Sequence, residues 1–142
     1  DSSSLINNRI VSICGTQNEI WIATKGGISV YDYLKNHDFG EPVSVDDLKA
    51  LMDFEWIVDN PQYKFNNPRL EQIKSDLLSS IKSFKDYLLR NTTENEFGRL
   101  IISDFIRRDE EKFISYKKEL HKWADDICKN YDELIRIMRA SA

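Results

Sequence analysis

Apolar positions recur at alternating steps of three and four along the last long run of the chain: Phe113, Tyr116, Leu120, Trp123, Ile127, Leu134 and Ile137, with one interruption at Asn130. That spacing puts them on one stripe of a helix. A stripe so rich in aromatic and branched side chains demands a cover, and the upstream pattern supplies candidates. Leu70, Ile73, Leu77, Ile81, Phe84 and Leu88 mark a helix with Asn67 as N-cap, Pro68 at its first position and Glu71 near the positive end of its dipole, closing near Arg90 and Asn91. Ser44 and Asp47 read as a capping box, with Val43 stapled against Leu48. The helix they open runs from about Val45 to Phe54 or slightly beyond, carries Leu48, Leu51, Met52 and Trp56, and stops by Asn60-Pro61. Thr93 and Glu96 form a further capping box, opening a helix with Phe97, Leu100, Ile101, Phe105 and Ile106. Asp109, with Glu110 and Glu111 behind it, either caps a new helix, which gives a bundle, or lies inside one continuous helix, which gives a long rod. At Asn130 the seam is expected to turn toward solvent.

The first forty residues follow a different grammar. Ile10 to Ile13, Ile20-Trp21-Ile22 and Ile28 to Tyr31 are short branched or aromatic runs, separated by turn material at Gly15-Thr16-Gln17-Asn18 and Lys25-Gly26-Gly27. Three short antiparallel strands are expected. His37-Asp38-Phe39-Gly40-Glu41-Pro42 is a loop by composition. The expected fold is therefore mainly α, a bundle of about four helices over residues 41–142 with a small N-terminal three-stranded antiparallel β-meander over residues 1–40.

Composition excludes several roles. A net charge of -4 gives no Lys/Arg excess with which to displace phosphate counterions, which argues against nonspecific nucleic-acid binding and an anionic membrane surface. Arg107 and Arg108 are cancelled at once by Asp109, Glu110 and Glu111. No apolar run approaches the ~20 residues of a membrane span. Cys14 and Cys128 are far apart and in no C-x-x-C arrangement, so they read as reduced, packed thiols, which favours a cytoplasmic compartment. Asn91-Thr92-Thr93 matches a glycosylation sequon, a pattern too short to carry weight. Because the chain opens on Asp1 rather than Met, it reads as a fragment or a processed product.

Candidate chemistry is sparse. His121 and Asp125 are one helical turn apart, with Asp126 and Cys128 nearby, but Cys128 lies elsewhere on the wheel, so a solvated i, i+4 pair is expected rather than a zinc site. Asp109-Glu110-Glu111 is contiguous at a helix start, where carboxylates stabilise the dipole, whereas acid–base work needs carboxylates converging from different elements. Lys25-Gly26-Gly27 lacks the spacing of a phosphate loop, and no hydrolase or metalloprotease motif occurs. No catalytic, cofactor-binding or metal residue is assigned, and Trp123 is expected in the core.

Two resemblances bear on function. Ser4 to Ile13 followed by Ile20 to Asp32, with its Trp21-Ile22-Ala23-Thr24 block and the Gly26-Gly27 turn, resembles one β-propeller repeat of the two-component-regulator or WD type; Ala23 stands where that family has Gly. It implies either the tail of a longer sensor propeller or a lone blade packed on helices; without it, the stretch is a plain Trp-containing meander. Ser83 to Leu89, Gly98-Arg99, Phe105-Ile106, Glu110, Phe113 and Ala124 to Ile135 resemble, more faintly, a regulator-of-G-protein-signalling domain, an all-helical family that accelerates GTP hydrolysis. Structural richness without chemical motifs points to a nonenzymatic interaction or signalling module with a protein partner. The runner-up is a GTPase regulator.

Overall fold

The computed structural model describes residues 29–61 and 64–140. Among them the chain is mainly α, as its periodicity predicts. Helix α1 covers residues 29–36; strand β1 (Val43–Ser44) leads into α2 (Val45–Asp59) and α3 (Pro68–Arg90); a hairpin of β2 (Thr92–Glu94) and β3 (Arg99–Ile102) follows, then the single turn α4 (Asp104–Arg107) and the long α5 (Glu110–Ala140).

The caps form where the sequence puts them. Ser44 Oγ accepts from the Asp47 backbone N–H at 3.1 Å and donates to Asp47 Oδ2 at 3.0 Å. Asn67 Oδ1 accepts from the N–H groups of Arg69 and Leu70, and Pro68 occupies the first helical position. Asp109 caps α5, its Oδ1 accepting from Lys112 N–H at 3.2 Å. The single turn of α4 ends at its C-cap Arg108 and α5 starts anew at Glu110, so the stretch is a bundle component and not a continuous rod.

The core is built chiefly by α3 against α5. Leu77 and Ile81 from one, Leu120 and Leu134 from the other, are wholly removed from water. α1 joins the same core through Val30 and Leu34, an i, i+4 pair, and the following loop adds Phe39, whose ring meets Phe84 edge-on at 5.3 Å. The Tyr131 ring of α5 lies 5.6 Å from Tyr31 and 6.3 Å from Phe54, tying α1 and α2 to the same helix.

Three sequence expectations are corrected. The meander over residues 1–28 lies outside the described residues, but its last run extends to Tyr31, and residues 29–31 are helical. Among the described residues a three-stranded antiparallel sheet is made by later residues, in the order β1-β3-β2, with Val43 opposite Leu100 and Thr93 opposite Ile101. The helix expected from Thr93 is instead this hairpin, which falls inside the stretch resembling a regulator-of-G-protein-signalling domain. Its turn needs Gly98 at φ +70°, a conformation that L side chains rarely adopt, and Asn95 Oδ1 accepts from the N–H groups of both Phe97 and Arg99. Asn130, third, does not mark a turn to solvent: α5 continues past it, and its Nδ2 donates to Ser80 Oγ of α3 at 3.2 Å.

One ion pair sits deep between helices. Lys85 Nζ of α3 lies 2.5 Å from Glu55 Oε1 of α2, with the Glu55 side chain only 11% exposed. Lys85→Met is expected to lower stability by about 1–3 kcal/mol, because it strands a carboxylate out of water. Adding Glu55→Gln should restore part of that loss. Urea unfolding of the single and double variants checks this; an unchanged midpoint for Lys85→Met would remove the pair from the account.

Candidate functional site

The sequence-level candidates are not brought together. His121 leaves Asp125 and turns to the loop after α1, its ring edge-on to Phe39 at 5.0 Å and its Nε2 4.0 Å from Asp38 Oδ1. Asp38 also accepts from the Gly40 N–H at 2.9 Å and lies 3.5 Å from Lys117 Nζ; the Gly40 hydrogen bond, with lesser help from Lys117, holds its carboxyl below the usual range. Asp125 and Cys128 instead border a shallow groove of about 410 Å³ with Lys35, Lys129, Asp132 and Arg136. The charges there alternate in sign and leave no single-sign field. Burial pushes the Cys128 thiol up to about 11, and the thiol donates to the Tyr31 carbonyl at 3.9 Å, so at neutral pH it is a protonated packing group rather than a nucleophile. Among the described residues no cluster of three or more His, Cys, Asp or Glu side chains could hold a metal ion. Nor is any of their helices long and apolar enough to cross a membrane.

Asp109, Glu110 and Glu111 cap and open α5, Asp109 lying 3.9 Å from Lys112 Nζ. Arg107 and Arg108 both turn back to Asp104, at 2.5 and 3.9 Å. Trp123, expected in the core, lies at its edge instead, partly buried against it with Lys122 over its ring, while Ala124 and Ile127 beside it are buried.

The site that sequence reasoning missed is on α2. Met52 and Trp56, assigned above to the apolar face, are exposed, Trp56 to 66%. The helix buries Leu48, Leu51, Phe54, Ile57 and Val58 instead. With a period of about 3.6 residues, these buried positions cover one side of the wheel, and Met52 and Trp56 fall together on the other. Their exposed companions on that helix are Asp46, Lys49, Ala50, Asp53 and Asp59, so the surroundings are acidic. Trp56 also borders a concavity of about 250 Å³ with Asp59, Asn60 and Pro61. Phe54 and Val58 continue the Leu48–Leu51 stripe, but Met52 and Trp56 also follow Leu48 at steps of four, so the pattern alone does not choose the covered side.

Among the described residues Leu89, Phe97, Phe105 and Ile114 are exposed as well. Phe97 sits at the hairpin turn, and Phe105 already carries the Lys112 ammonium 3.4 Å above its ring. No protein-family model matches the chain, and comparison with curated proteins and with solved structures found no match.

Proposed function

We propose that this chain is a nonenzymatic protein-interaction module that takes a basic, amphipathic segment of a partner protein on the exposed face of α2. The observation that carries the reading is Trp56, an indole two-thirds exposed beside Met52, with Asp53 and Asp59 on the same face. Large aromatic side chains are the residues most often found as binding anchors, and an Arg or Lys that stacks on an indole gains further where carboxylates sit close by. Met52 adds an adaptable apolar surface for the partner's own Leu or Ile. The acidic flank would steer such a segment and reject an acidic one.

A calorimetric titration with a synthetic helical peptide of Leu/Arg amphipathic pattern tests this. Saturable binding that weakens as salt rises is expected, with no binding by the Leu/Glu peptide of identical pattern. Equal binding of the two peptides, or no binding by either, would overturn the proposal.

A further inference from the structure

The packing of α1 against α2 and α3 leaves a cavity of about 70 Å³, apolar on most sides, with Val30, Leu34, Leu51 and Phe84 in its wall. Three polar side chains, Ser29, Tyr33 and Asp47, also line it. The Tyr33 hydroxyl is buried and has no hydrogen-bond partner. Leaving such a group unpaired away from water costs its full desolvation, so a residue of this kind beside a hollow points to something that completes it. Asp47 Oδ2 takes the proton of Ser44 Oγ, which leaves Oδ1 available as an acceptor. The cavity thus combines apolar walls with an unpaired phenol donor, a carboxylate acceptor and the Ser29 hydroxyl, the composition of small-molecule sites in general.

We propose that this cavity binds a short aliphatic alcohol, whose hydroxyl accepts from Tyr33 and donates to Asp47 while its carbon chain fills the apolar wall. Volume sets the size: a dry cavity of ~150 Å³ takes benzene, so one near half of that admits about three or four heavy atoms. The chemistry sets the head group. An alkane would leave the phenol unpaired. An alkylammonium brings only donors, so the Tyr33 proton would still lack an acceptor and part of the cation would face apolar side chains. Neither Met52 nor Trp56 lines the cavity, so this site stands apart from the docking face.

The test is an NMR titration of the whole chain with 1-propanol, following the methyl groups of Leu34 and Leu51, with propylammonium as the comparison. Saturable shifts confined to the cavity methyls are expected, weakened roughly three- to tenfold in Tyr33→Phe, the loss of one neutral hydrogen bond. Val30→Ile, which fills part of the hollow, should abolish them. Nonsaturating shifts, undiminished binding in both variants, or tighter binding of propylammonium would overturn the proposal.

Discussion

Replacing Phe84 by alanine is expected to lower the stability of the protein by about 3–5 kcal/mol, the upper range for an aromatic core truncation. Phe84 is 1% exposed and stands where three parts of the fold meet. It belongs to the α3 stripe, it receives the Phe39 ring from the loop after α1, and it lines the cavity beside α2. Deleting the ring removes its transfer free energy and joins the vacated space to a hollow that is already present, so the neighbours cannot easily collapse onto it. Chemical unfolding measures the change; a loss under about 1 kcal/mol would mean that Phe39 and Phe84 do not hold the loop and helices together.

Alkali should unfold the protein steeply. Tyr116 and Tyr131 are 2% and 7% exposed, and burial pushes both phenols well above their ordinary value; Tyr33 is shifted the same way for the same reason, reinforced by Asp47. In the unfolded chain these groups release their protons near pH 10, whereas in the folded protein they keep them. Folding stability from this source is therefore fully present below about pH 10 and lost as pH rises beyond it. With the unfolded state holding two fewer protons from Tyr116 and Tyr131, the slope is about 3 kcal/mol per pH unit. The last part of the phenolate absorbance, from these buried rings, and helical circular dichroism should change together. Ionisation of all six tyrosines with the helices intact would contradict the burial of these rings.

Helices with unambiguous end signals were legible in the chain. Ser44 with Asp47 and Asn67 with Pro68 are each the cap expected of them, and Asp109 takes the capping one of its two readings, because a cap is a local hydrogen bond between residues two or three apart and needs no knowledge of the tertiary fold. Residues 93–102 misled for the same reason in reverse. Thr93 and Glu96 satisfy the capping-box spacing, yet Thr93, Ile101 and Ile102 are β-branched, and the cross-strand partners Thr93 and Ile101 outweigh a box that four residues can mimic. Gly98 was the discordant residue, since glycine costs helix stability and here supplies the turn. The run Ile28 to Tyr31 reads as a short strand after a glycine turn, although Val30 and Leu34 carry the helical spacing. Asn130 could not be read from one helix alone, because its partner Ser80 belongs to another.

The exposed apolar face of α2 is hidden in the sequence for a physical reason. α2 has apolar residues on both sides of its wheel, so periodicity shows that Met52 and Trp56 differ from Leu48 and Leu51 only once the position of α3 and α5 decides which side is covered. Glu55 compounds the difficulty: a carboxylate on the buried side, paired with Lys85, makes the wrong face look polar.

The measurement that bears most directly on the proposed module compares Trp56→Ala with the unaltered chain in two assays, affinity for the Leu/Arg peptide and urea unfolding. Because the indole is exposed and holds no core position, the unfolding midpoint should stay put, while affinity should fall by about thirtyfold, the ~2 kcal/mol of an aromatic hot spot. Peptide affinity unchanged within about twofold, with folding intact, would contradict a docking role for the α2 face.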